Sequence, residues 1–224
     1  MLINLLISQK VIKDKHGQKS DCLESNYVTY FNSLGINLYP VSNFLDDLDA
    51  YLDGIEYQGL ILPGGGDVNP RYCELNNDYD FNFHHEKERV ENFLITKMIS
   101  LKRPVLGICY GMQQLNVFFG GRISADIHRN ESHIRKPKRN HPIHLKKDLF
   151  GLQKEYEVNH FHDHGIRTNQ VAKCFDILAI DKNFDVVEAI VHRDLPIIGI
   201  QWHTERKSPD AEFNRRLITR FFNL

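Results

Sequence analysis

The chain has 224 residues, 42% hydrophobic and 25% charged, enough to bury a sizeable core in one compact domain spanning 1–224. A net charge of −1 gives no global field for nucleic acid or an acidic membrane surface, and no apolar run approaches the roughly 18 residues of a membrane span. Cys22, Cys73, Cys109 and Cys174 are scattered without a C-x-x-C pair, which fits a reducing cytoplasm better than a disulfide framework.

The opening M-L-I-N-L-L-I-S has no basic lead-in and no small-residue cleavage site. Leu2 to Ile7 therefore reads as a first core strand, a nearly continuous apolar run as expected where both faces are covered, rather than a signal peptide. Asp21, with Glu24 three residues on, predicts a capped helix whose inner stripe is Leu23, Tyr27, Tyr30, Phe31 and Leu34, ended by Gly35. Ile36 to Val41 is the next strand. Gly59 to Leu62 is a third, breaking into Pro63-Gly64-Gly65-Gly66-Asp67. Glu86 to Leu101 patterns as a second amphipathic helix with Val90, Phe93, Leu94, Met98 and Leu101 inward. This rhythm predicts an α/β, three-layer fold: a mostly parallel central sheet with helices on both faces.

Arg103 to Gly121 is the most informative stretch. A short apolar run, Val105 to Ile108, meets Cys109, and a helical pattern follows with Met112, Leu115 and Phe119 on one face, stopped by Gly120-Gly121. Cys109 is flanked as Gly107-x-Cys109-x-Gly111, a nucleophile elbow with Cys at the reactive position. The helix that follows aims its first N–H groups and positive dipole end at the sulfur, which favours thiolate. After Gly121 the pattern changes. Residues 127–147 read as a basic loop, and Tyr156 to Phe161, Phe175 to Ile180 and Val186 to His192 are short strand candidates, predicting antiparallel additions to the sheet. Pro196 to Gln201 is the last strand, running into Trp202-His203-Thr204-Glu205, and a closing helix from about Asp210 buries Phe213, Leu217 and Phe221.

A nucleophilic Cys needs a base that later protonates the leaving group. His203 and Glu205, two apart in an extended segment, would point the same way, so that Glu205 fixes the imidazole's tautomer. An oxyanion hole needs two N–H donors: Tyr110, first in the helix, and a glycine of the Gly64–Gly65 run, where backbone can approach closely. The glycine run lacks the Lys and Ser/Thr of a phosphate loop.

Three ordered blocks, L-P-G-G-G-D-V-N-P, P-V-L-G-I-C-Y-G-M-Q-Q-L-N and G-I-Q-W-H-T-E, resemble the class I glutamine amidotransferases. G-G-R-I-S-A-D-I after the elbow and V-N-H-F-H-D-H-G make the chain most similar to the stand-alone γ-glutamyl hydrolase branch. The resemblance spans nearly the whole chain. It implies Cys109 as nucleophile, His203 as base and acid, Glu205 as its orienter, and hydrolysis of a small γ-glutamyl substrate through a glutamyl thioester. It also implies that Gln113 helps bind the glutamyl head group. Where the family commonly reads V-N-S-x-H-x-Q, this chain has Val158-Asn159-His160-Phe161-His162-Asp163-His164. His162 keeps its place in the substrate segment, while His160 and His164 replace Ser and Gln and hint at an unusual substrate.

The basic cluster from Arg129 through Arg135 to Lys147 reads either as a solvated loop or as a cleft wall that meets a phosphorylated leaving group. The second reading, with Arg129 and Arg135 as contacts, points to a phosphate- or nucleotide-bearing conjugate, and resemblance to the γ-glutamyl-CDP-amidate hydrolase subtype implies a γ-glutamyl-CDP-amidate used in capsule modification. No cofactor is predicted. His160, His162 and His164 alternate as metal ligands on one face would, but the nucleophile machinery needs no metal and no second ligand cluster is evident in the sequence, so no metal site is predicted. The rival readings are a glutaminase subunit delivering ammonia to a separate synthase and a non-catalytic binding protein on this fold. A cytoplasmic location and a homodimer are compatible with all of them.

Overall fold

The computed structural model describes residues 2–74, 80–125, 127, 140–146, 155–181 and 185–224. In chain order the first half contains β1 (Ile3–Ile7), β2 (Lys10–Lys13), β3 (Lys19–Cys22), α1 (Ser25–Ser33), β4 (Ile36–Pro40), α2 (Leu48–Leu52), β5 (Gly59–Leu62), β6 (Cys73–Glu74), α3 (His85–Leu101), β7 (Val105–Ile108) and α4 (Tyr110–Phe118). The second half contains β8 (Ile123–Ser124), β9 (His141–Leu145), β10 (Glu155–Val158), β11 (Phe175–Asp181), β12 (Val187–His192), β13 (Ile197–Ile200) and α5 (Ala211–Phe221). Nine strands form one sheet in the order β10-β9-β11-β12-β13-β7-β5-β1-β4. The five strands from β13 to β4 are parallel, and β12, β11, β9 and β10 continue the sheet antiparallel.

Strand side chains alternate between two cores, as a period of two demands. Leu6, Leu60, Leu62, Val105 and Ile197 pack with Leu48, Leu94, Met98, Met112 and Leu115 of α2, α3 and α4. Leu5, Ile7, Ile61, Leu106, Ile108, Ile198 and Ile200 pack on the other face with Tyr27, Phe31, Phe213 and Leu217 of α1 and α5. Strands buried on both faces leave no polar positions, which is why they read as unbroken apolar runs. The register places the carboxyl ends of the central strands level: Leu62 pairs with Gly107, and Ile200 with Ile108. The segments that leave β5, β7 and β13 are therefore neighbours, at the edge where parallel sheets of this kind bind ligands.

The structure departs from the sequence reading in several places. Asp21 is not a helix cap. It lies in the β2–β3 hairpin and accepts hydrogen bonds from Ser42 Oγ at 2.5 Å and Asn43 Nδ2 at 2.6 Å. Glu24 holds the cap position of α1 without a side-chain cap bond. Leu101, at the end of α3, is exposed, and the amino end of that helix buries Lys87, Glu88 and Glu91 instead. The basic stretch contains a strand, β9, whose His141, Ile143 and Leu145 point inward. Arg129 and Arg135 lie outside the described residues. Among the described residues, no helix is long and apolar enough to cross a membrane.

Candidate active site

Cys109 sits between β7 and α4 with φ +53° and ψ −106°, a conformation rarely adopted by a residue with a Cβ. Its N–H donates to Ile200 O at 2.7 Å, tying the elbow to the end of β13. The bracketing glycines are required by close packing. A Cβ on Gly107 would meet the Gly111 carbonyl at 2.6 Å, and one on Gly111 would meet the Leu62 carbonyl oxygen at 2.0 Å.

His203 lies beside Cys109, and its Nδ1 lies 2.5 Å from Glu205 Oε1. All three side chains are buried. The His203–Glu205 segment is a turn, not an extended strand, so the turn after β13 brings carboxylate to imidazole rather than strand alternation. Burial alone would lower the imidazole's pKa. The negative charge and hydrogen bond of the Cys109 sulfur, followed by those of Glu205, outweigh it and raise His203 to about 9.

Cys109 and His203 face a cavity of about 200 Å³ lined also by Gly65, Gly66, Asp67, Tyr110, Gln113, Phe161, His162, His164 and Arg206. Tyr110 opens α4, so its N–H is one of the helix's first, without an intrahelical acceptor. Gly64 N–H is already engaged, donating to Tyr27 Oη at 2.7 Å. A Cβ on Gly64 would meet His203 Cε1 at 2.6 Å, so this glycine makes room for the imidazole. Gln113 Nε2 donates to His164 O at 3.1 Å and Gln201 Oε1 at 3.2 Å, and Gln201 Nε2 lies 3.5 Å from Cys109 Sγ. His162 and His164 both line the cavity. They do not share a strand face with His160, because β10 ends at Val158; His164 Nε2 turns instead to Asp67 Oδ1 at 3.3 Å. Trp202 does not form a wall of this cavity. It is buried and donates from Nε1 to Asn214 Oδ1 at 2.9 Å.

Comparison with known proteins extends the geometry. The family model described as Peptidase C26 matches residues 2–205. The chain belongs to the peptidase C26 family. It is 27% identical over 210 residues to a putative glutamine amidotransferase-like protein of Lactococcus lactis, covering 88% of this chain and 86% of that one. It is 29% identical over 208 residues to the γ-glutamyl-CDP-amidate hydrolase of Campylobacter jejuni, covering 90% of each. A solved structure of a putative GMP synthase subunit from Thermoplasma acidophilum matches with a TM-score of 0.65 at 21% identity, covering all of this chain and 94% of that one, which shows the shared α/β fold. Peptidase C26 membership and the named hydrolase relative together support a hydrolase.

Within this peptidase C26 site, several residues escaped the sequence reading. Asn159 clamps the backbone of His203: its Nδ2 donates to His203 O at 2.7 Å and its Oδ1 accepts from His203 N at 2.9 Å. Arg206 brings a cation to the cavity, with its guanidinium 4.6 Å from the Phe161 ring centre and Nη2 3.1 Å from Glu24 Oε2. Glu91 accepts from Ser8 Oγ at 2.7 Å and from Tyr110 Oη at 2.8 Å and pairs with buried Lys87, bracing the elbow from below. Only the V-N pair before His160 and the residue after T-E signalled two of these positions in the sequence. Asn159→Ala is expected to lower kcat by about 10²-fold with little change in KM, because it frees the His203 backbone without removing a substrate contact. Steady-state kinetics beside an unchanged circular dichroism spectrum checks this.

Proposed function

We propose that the chain is a stand-alone γ-glutamyl hydrolase, and the observation that carries this reading is the convergence of Cys109 and His203 on one cavity at the ends of β7 and β13, with Glu205 bonded to the imidazole. The Cys109 thiolate attacks the γ-carbonyl carbon, and the carbonyl electrons move onto oxygen. Tyr110 N–H and Gly65 N–H receive this oxyanion, Gly64 being engaged by Tyr27. His203 gives its proton to the leaving nitrogen, the C–N bond breaks, and the glutamyl group stays on Cys109 as a thioester. Neutral His203 then takes a proton from water, which attacks the thioester. Glutamate leaves and the thiolate–imidazolium pair is restored. Glu205 keeps the ring oriented through both steps. Gln113, His162 and His164 hold the glutamyl head from the cavity wall.

The leaving group in this reading carries negative charge, as in a γ-glutamyl-CDP-amidate. The named Campylobacter relative supports it, as does Arg206 at the cavity. Arg129 and Arg135 are further proposed contacts. Glutamate release from glutamine, a neutral γ-glutamyl amine and a γ-glutamyl conjugate bearing phosphate or a nucleotide tests the choice. Preference for the charged conjugate is expected. Release from glutamine alone, or only when a synthase partner is added, would replace this reading with an amidotransferase subunit.

The rate should also report His203. Its pKa is raised in the folded state, so kcat/KM is expected to hold up to about pH 9 and fall above it, as the imidazolium that protonates the leaving group is lost. Glu205→Gln removes an anion from the ring and should move that limb to lower pH. The same shift stabilises the fold: the contribution is fully present below the ordinary His pKa of about 6.5 and is lost as pH rises through about 9. A pH–rate profile and a pH series of thermal melts check both limbs.

A further inference from the structure

Behind the cavity wall, the fold assembles a second set of ionisable groups that the proposed hydrolysis does not use. His141 of β9, Asp181 of β11 and Glu188 of β12 each place one donor atom within 4.8 Å of the other two. All three are at most 4% exposed. His141 lies between the carboxylates, with Nδ1 3.1 Å from Asp181 Oδ2 and Nε2 3.7 Å from Glu188 Oε1. His162 approaches the same carboxylate from the cavity side, its Nε2 3.9 Å from Glu188 Oε1. The His160 ring stands beside both imidazoles, 4.1 Å from that of His162 and 5.5 Å from that of His141, centre to centre.

A first-row divalent metal with bonds of about 2.1 Å sets neighbouring ligand atoms roughly 3.0–3.5 Å apart, and three donor atoms within 4.8 Å of one another can close around one. Two carboxylates also match the charge of a divalent cation, in a place where unbalanced charge would be costly.

We propose that His141, Asp181 and Glu188 bind a divalent transition-metal ion, Zn²⁺ being the best match to this mixed nitrogen and oxygen donor set. The ion would fasten β9, β11 and β12 to one another. The site stands independently of the Cys109 chemistry. The ligands come from strands far apart in sequence, so a second cluster beside the V-N-H-F-H run becomes evident only in the fold.

The test is metal content of the full chain, expressed with added Zn²⁺ and freed of loose metal by gel filtration. A Cys109→Ala background excludes binding by the reactive thiolate. About one Zn²⁺ per chain is expected, falling below about 0.1 in His141→Gln and in Glu188→Gln. Co²⁺ in place of Zn²⁺ should give visible d–d absorption that the same variants lose. Should either variant fail to fold, Asp181→Asn and the content of the Cys109→Ala chain decide. A folded Cys109→Ala chain that holds neither Zn²⁺ nor Co²⁺, or one whose metal survives loss of His141, overturns the site and leaves the cluster a hydrogen-bonded network.

Discussion

Replacing Cys109 with Ala is expected to lower kcat for γ-glutamyl amide hydrolysis by about 10⁴-fold or more while substrate binding changes little. The substitution removes the sulfur and leaves Tyr110, Gly65 and the cavity wall in place, so only the bond-forming step is lost. His203→Ala should be almost as damaging. The double variant should be little worse than either alone, because groups that act as one unit do not add. Pre-steady-state glutamate release, with calorimetric binding of the same substrate, separates chemistry from affinity. Cys109→Ala activity within tenfold of wild type would remove the sulfur from the reaction.

Gly111→Ala is expected to cost more stability than a surface change could, about 4 kcal/mol or more, and to leave little soluble protein. Helix propensity argues the other way, since Ala is better than Gly inside a helix by roughly 1 kcal/mol. Packing decides the sign. The added Cβ would stand 2.0 Å from the Leu62 carbonyl oxygen and 2.7 Å from its carbon, both backbone atoms of a buried strand. No rotamer relieves that contact, so α4 must part from β5 and take Cys109 with it. Thermal melts check this directly: a Tm lowered by about 10 °C or more is expected for a chain of this length. An unchanged or raised Tm would show that the elbow packs less closely than described.

Much of this architecture is legible in the sequence because its signals are local. Val105 to Ile108, Gly59 to Leu62 and Pro196 to Gln201 read as strands since each is apolar on both faces, and Gly107-x-Cys109-x-Gly111 marks the elbow through backbone that no larger residue could pass. Other features depend on partners distant in the chain. Asp21 looks like a cap until the hairpin carries it to Ser42 and Asn43. His141 to Leu145 hides as a strand because its inward positions include a histidine, which looks solvated unless Asp181 and Glu188 are known to face it. Lys87 and Glu91 read as an exposed pair on a helix, whereas the fold turns them under Tyr110. The bond from Asn159 to the His203 backbone spans 44 positions, and no spacing rule reaches that far.

The most direct test of the central claim is to look for the glutamyl thioester itself. Wild-type enzyme would be quenched with acid during turnover of a γ-glutamyl conjugate, and the peptide containing Cys109 weighed by mass spectrometry. A mass increase of one γ-glutamyl group on Cys109, absent from Cys109→Ala and removed by hydroxylamine, is the result expected. Full turnover with an unmodified Cys109 at every quench time, together with activity retained in Cys109→Ala, would contradict a covalent mechanism at this site.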